Sequence, residues 1–129
     1  KPELITLLAA GIEMDLLFRT AEDTLSVTTT GKLGQLAASL VTNTDIQIRL
    51  DGFADERGDA GYNQELSVRR AEHVRDLLVA TGINTSRISI NAHGESPAAE
   101  MNVDSFALER RVSMTIFVTD APSVAATRR

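Results

Sequence analysis

Alternation of apolar and polar residues marks four short stretches of the chain, at 11–20, 46–52, 88–93 and 112–118. A period of two is typical of strands that bury one face and leave the other in water. The sequence therefore predicts four strands.

Two longer stretches, 29–43 and 61–81, repeat apolar residues at helical spacing, and Gly82 is a natural end for the second. A short helix is also predicted at 103–108. Strands that alternate with helices favour an α/β sandwich, in which one sheet is covered on one face by two main helices.

Length and charge limit the function classes. The 129 residues suffice for one domain, and the formal charge of -5 would repel nucleic acid, so we expect no nucleic-acid partner. No apolar run approaches the roughly 20 residues of a membrane-spanning helix. The chain starts at Lys1 without Met or a signal peptide. We therefore interpret it as part of a longer protein, with any membrane attachment outside this chain.

One motif spans the loop after the second strand and the start of the long helix. Its residues are Asp55, Gly58, Asn63, Leu66, Ser67, Arg70 and Ala71. In this register the chain resembles the family of OmpA-like peptidoglycan-binding domains, which reads G-H-T-D, then a glycine, an asparagine and L-S-x-x-R-A at fixed distances. The turn at 93–96 and the pair Arg110-Arg111 are similar to two further family signatures. The resemblance covers residues 12–118, which leaves a flank at 1–11 and a tail at 119–129 that we expect to be disordered.

The resemblance implies an OmpA-like βαβαβ(α)β fold with a mixed sheet. It also implies a protein of the bacterial periplasm that is not an enzyme, has no cofactor and is tethered to the outer or inner membrane. Its partner would be the peptidoglycan stem peptide that contains diaminopimelate, bound noncovalently to anchor a larger envelope protein to the cell wall. The oligomeric state stays open.

Diaminopimelate ends in a centre that carries an ammonium and a carboxylate, so its site needs a fixed anion and a fixed cation. Asp55 can accept hydrogen bonds from the ammonium, and the planar fork of Arg70 can bind the carboxylate. We expect both side chains at the mouth of a groove. The start of the helix after Gly58 would add free backbone N–H groups close to the bound anion.

Three further positions complete the predicted ligand site. Asn63 is expected as a supporting contact, and Arg57 is open between a ligand contact and a solvated loop residue. One of Arg110 and Arg111 is expected to reach the groove, because strand alternation directs the two side chains to opposite faces. Each charge could instead merely solvate a surface, but the fixed spacing favours the binding role.

Departures from the family pattern support a second hypothesis. Phe53 and Ala54 replace the family's His-Thr, and Glu109 replaces its Asn. The alternative is therefore a degenerate OmpA-like module that acts as a protein interaction or dimerisation surface.

Enzymatic and metal sites are not indicated. The chain has no cysteine and only two histidines, His73 and His93, so no metal site is predicted. Ser67 and Ser96 lack partners at a known nucleophile spacing, and no catalytic residue is predicted.

Overall fold

The computed structural model describes residues 11–19, 21–54, 59–94 and 110–118. The helix predicted at 103–108 and the tail predicted at 119–129 lie outside the described residues, as does the predicted flank apart from Gly11.

The predicted strands and main helices are present. In chain order they are β1 (Ile12–Leu17), α1 (Val27–Leu40), β2 (Ile46–Gly52), α2 (Ala60–Thr81), β3 (Ile88–Ala92) and β4 (Arg111–Val118), with a 3-10 turn at Thr85–Arg87 before β3. Helix α1 begins earlier than predicted because Ser26 caps it, its hydroxyl accepting the Thr29 N–H at 3.1 Å. No helix in the described part of the chain has the length and apolar character needed to cross a membrane.

The four strands of the described residues form one mixed sheet in the order β1-β4-β2-β3. Strand β4 runs antiparallel to both β1 and β2, whereas β2 and β3 are parallel. Strands β1, β2 and β3 therefore end at the same edge of the sheet, where β4 begins. We call this the site edge, because the loops that carry the motif residues leave from it.

The register aligns apolar side chains in rows that face the helices. One row pairs Met14 with Met114, Met114 with Leu50, and Leu50 with Ile90. Leu50 and Met114 are wholly buried, and burial of a side chain of this size contributes about 1.5–3 kcal/mol to stability. The helices complete the core with Leu33, Ala37, Leu40, Ala71, Val74 and Leu78.

The opposite face of the sheet carries mainly polar side chains. Glu13, Asp15 and Arg49 are exposed there, which is the alternation that the sequence predicted. The two helices therefore cover one face only, as expected.

A buried arginine secures the edge of the sheet opposite the site edge. The Arg87 guanidinium donates to the Ile46 carbonyl at 2.8 Å, and to the Leu40 and Asn43 carbonyls at 3.3 and 2.6 Å. These carbonyls lie at the end of α1 and the start of β2, where helical hydrogen bonding stops. Arg87 thus satisfies acceptors that the end of α1 leaves open.

Helix α2 crosses the end of β2 at very close range. A Cβ atom added to Gly52 would clash with the backbone carbonyl oxygen of Ser67. The Ser67 hydroxyl in turn accepts the Gly94 N–H at 3.0 Å and donates to the Gln64 carbonyl at 2.7 Å. Gly52 and Ser67 therefore fix helix α2 against β2 and the end of β3.

We predict that Gly52→Ala lowers the free energy of unfolding by about 1–3 kcal/mol, because backbone must move to admit the methyl group. Urea denaturation measures the change. Gly34→Ala is the matched control, because an added Cβ there meets nothing within 4 Å and alanine favours the helix by about 0.5–1 kcal/mol. Equal destabilisation of both variants, or of neither, would contradict the close approach.

Candidate binding site

Arg70 lies at the centre of the site edge and is wholly buried. Its Nε donates to the Glu22 carbonyl at 2.8 Å, and its two terminal nitrogens donate to the carbonyls of Phe53 at 3.2 Å and Arg19 at 3.1 Å. The guanidinium therefore joins the end of β2 to the segment that follows β1.

The expectation that Arg70 lies at an open groove mouth is wrong. Position 70 belongs to the buried stripe of α2 together with Asn63, Leu66 and Val74. The aliphatic stem packs inside, and the guanidinium finds backbone acceptors in place of water. Its central carbon also lies 5.2 Å from the centre of the Phe18 ring, within the range of a cation–π contact. The role of Arg70 toward a ligand stays a prediction.

The residues between β1 and α1 form one wall of the site. We call residues 18–26, of which Thr20 is not described, the β1–α1 loop. Two carbonyls of this loop bind Arg70. The loop is also tied to the residue that precedes β4, because the Phe18 N–H donates to the Arg110 carbonyl at 2.7 Å. Ala21 adopts a positive φ of 63° where the loop turns.

Arg110 and Arg111 point to opposite faces, as the strand pattern predicted. The Arg110 Nε donates to the Phe18 carbonyl at 3.3 Å, which brings this side chain beside the β1–α1 loop. The Arg111 guanidinium instead lies 4.0 Å from the centre of the Phe53 ring and donates to the Ser113 hydroxyl at 2.9 Å. It also approaches Asp15 on the open face of the sheet, at 3.6 Å. Of the pair, Arg110 is the one that lies with Arg70.

Phe53, which stands where the family has His, still binds Arg70 through its backbone carbonyl. Its ring stacks on His93 at 4.7 Å, and His93 Nε2 lies 2.8 Å from Asp51 on the open face. Arg70 binds the backbone carbonyl of Phe53, and a backbone acceptor does not depend on the side chain. Ala54 is wholly buried, and its N–H donates to the Gly94 carbonyl at 2.7 Å.

The start of α2 differs from the prediction of free N–H groups. Asp59 caps the helix, and its carboxylate accepts the N–H groups of Gly61 and Tyr62 at 3.2 and 3.3 Å. Aspartate is among the best residues at this position because it satisfies these donors, so they are engaged within the chain. Asn63 is wholly buried one turn further on. Asp55, Arg57 and Glu109 lie outside the described residues.

A cavity of about 410 Å³ opens beside the β1–α1 loop. It is lined by Leu17, Phe18, Arg19, Glu22, Thr24, Leu25 and Ser26. Arg19 and Glu22 place one charge of each sign here, and neither residue was predicted from the sequence to belong to the site. Their position directly after β1 could have indicated that they belong to the site, because β1 and β2 end at the same edge of the sheet.

A metal centre does not form within the described ranges, where no three His, Asp or Glu side chains come together in a group that could hold an ion. The site edge thus offers a cavity, charged side chains and backbone groups for noncovalent binding.

Comparison with known proteins agrees with this architecture. The sequence model of the OmpA family matches residues 17–110. Outer membrane porin F of Pseudomonas fluorescens is 31% identical over 107 residues, which cover 81% of this chain and 33% of that protein. Outer-membrane lipoprotein YfiB of Pseudomonas aeruginosa is 34% identical over 91 residues, which cover 70% of this chain and 54% of that protein.

The fold is also similar to that of a solved relative. The crystal structure of the peptidoglycan-associated lipoprotein from Burkholderia pseudomallei superposes with a TM-score of 0.71 at 26% identity, covering 79% of this chain and 88% of that one. The present chain spans between a third and about half of the two full-length relatives, at 33% and 54%. With its sheet, its motif and the family match over most of its length, the chain belongs to the OmpA family.

Proposed function

We propose that this chain binds peptidoglycan noncovalently at the site edge and anchors the protein that contains it to the cell wall. The main structural support is the buried Arg70. Its hydrogen bonds fix the carbonyls of Arg19, Glu22 and Phe53 in one wall of the site. Relatives support the ligand class, because peptidoglycan-associated lipoproteins occur among them, including one from Brucella melitensis at 37% identity over 70 residues.

The proposed ligand group is diaminopimelate, whose ammonium and carboxylate need charges of both signs. Asp55 would accept hydrogen bonds from the ammonium, and Arg110 would donate to the carboxylate. Arg110 suits this role because it is only partly buried beside the β1–α1 loop. Arg70 and Asn63, both wholly buried, would shape the wall from behind, and Arg57 would add a second cation near Asp55.

The proposed setting is the periplasm, with the membrane tether supplied by segments outside this chain. The named relatives are outer-membrane proteins and lipoproteins, which supports an envelope location. Binding requires no chemical step, so we propose a tether and not an enzyme.

One observation favours the alternative of a protein interaction surface. Leu17 and Val27, at the cavity and next to it, are 49% and 90% exposed. Exposed apolar side chains beside a cavity suit a protein partner or a second copy of the chain. Retention on purified sacculi and the mass of the free protein in solution separate the two functions.

We predict that the chain binds walls of the diaminopimelate type at least about tenfold more tightly than walls of the lysine type. Lysine lacks the second carboxylate, and a hydrogen bond to a charged group contributes about 1.5–3 kcal/mol. Cosedimentation with sacculi of both types measures the ratio. Equal affinity for both walls would exclude the diaminopimelate mechanism.

We further predict that Arg110→Gln weakens binding to diaminopimelate-type sacculi by about tenfold or more, whereas Arg111→Gln changes it by less than about twofold. The two residues are adjacent and both partly buried, but Arg111 lies on the open face against Phe53. Circular dichroism and urea unfolding verify that both variants are folded. A loss of binding that occurs only in Arg111→Gln would indicate that the ligand binds at the open face of the sheet instead.

A further inference from the structure

His73 holds the β1–α1 loop through a bond that requires a neutral ring. Its Nε2 accepts the backbone N–H of Leu25 at 3.1 Å. A backbone amide can only donate, so Nε2 must present its lone pair, and the single ring proton must be on Nδ1. A protonated ring carries hydrogen on both nitrogens and cannot accept this bond.

The ring contacts both ends of the loop. At one end it meets the Phe18 ring edge to face, with centroids 6.3 Å apart and planes at 72°. At the other end it binds Leu25, which is buried in the core, lines the cavity and precedes the α1 cap Ser26. Phe18 also contacts the Arg70 guanidinium and accepts a hydrogen bond from Arg110. His73 therefore supports the wall that faces the proposed ligand.

Charged groups surround His73 on its solvent side. An open depression of about 280 Å³ is lined by His73 together with Asp23, Thr24, Arg69, Glu72 and Asp76. Arg69 pairs with Asp23 at 3.2 Å, and Arg75 pairs with Asp76 at 3.1 Å. Three carboxylates thus share the depression with the imidazole, while the Arg69 and Arg70 cations oppose a positive ring. A protonated ring would be attracted to these carboxylates, whereas the Leu25 N–H would repel it.

We propose that His73 is a positioning residue for the ligand site: its neutral ring keeps the β1–α1 loop competent to bind, and protonation releases the loop. The inference rests on the proposed wall binding. Histidine ordinarily changes charge between about pH 5 and 8. The hydrogen bond from the Leu25 N–H exists only while the His73 ring is neutral. Its contribution to the order of the β1–α1 loop is therefore lost when the ring is protonated. Acidification therefore weakens binding.

The first test uses the whole chain without any ligand. Nitrogen-15 spectra of the His73 ring report its tautomer, and hydrogen exchange reports the protection of the Leu25 amide. We expect the Nδ1–H tautomer wherever the ring is neutral. Over a series of samples between about pH 8 and pH 5, we expect Leu25 protection to fall in proportion to the protonated fraction that the ring spectra report. Unchanged Leu25 protection while His73 becomes charged would overturn the positioning role.

The second test measures binding to diaminopimelate-type sacculi at about pH 7.5 and about pH 5.5. We expect the wild type to bind about three- to tenfold more weakly at the lower pH, the loss that one hydrogen bond explains. His73→Gln places an amide oxygen near the position of Nε2 and should bind equally at both pH values, whereas His73→Ala should bind weakly at both. Ligand carboxylates keep their charge in this range, and an ammonium group can only gain charge as pH falls, so neither explains weaker binding on acidification.

His93→Gln is the matched control, because His93 is the other of the two histidines and pairs with Asp51 on the open face. This variant should keep the pH profile of the wild type. A profile in His73→Gln as steep as that of the wild type would overturn the proposal, as would full binding by His73→Ala. Wild-type protein that binds no sacculi at either pH would refute the wall-binding function instead, and the ligand-free spectra would still decide the role of His73.

Discussion

A guanidinium removed from water must have its donors satisfied, and this requirement organises the site edge. Arg70 is wholly buried and meets it with the carbonyls of Arg19, Glu22 and Phe53. These carbonyls belong to segments that follow two strands lying apart in the sheet, with β4 between them. One side chain thus fixes the relative position of the two segments that follow β1 and β2.

The use of backbone carbonyls by Arg70 explains why the departure from the family pattern at Phe53 leaves this arrangement in place. Phe53 contributes its backbone carbonyl to Arg70, and its ring lies on the other face between Arg111 and His93. A change of side chain at position 53 therefore alters the open face of the sheet and not the hold on Arg70. At the opposite edge, the buried guanidinium of Arg87 likewise donates to backbone carbonyls, here those of Leu40 and Asn43 at the end of α1.

Much of the fold could be predicted from the sequence, because strands with one buried face and amphipathic helices leave a periodic pattern. The burial of Arg70 could not be predicted in the same way. Its position matches the apolar stripe of Leu66 and Val74, but charge alone suggested exposure, and its acceptors are backbone atoms far away in sequence. The bond between His73 and Leu25 likewise joins residues separated by 48 positions. Alternation predicted that Arg110 and Arg111 diverge, but only the packing of β4 against the β1–α1 loop decides which of them lies beside Arg70.

We infer that the fork of the Arg70 guanidinium, and not its charge alone, holds the site edge together. Arg70→Lys keeps the charge and most of the stem, but a single ammonium cannot span the same three carbonyls. Urea unfolding of this variant is the most direct test. We expect a free energy of unfolding lower than that of the wild type by about 2–4 kcal/mol, because hydrogen bonds are lost and carbonyls are left without a donor. A variant within about 0.5 kcal/mol of the wild type, the usual range for a surface substitution, would contradict it.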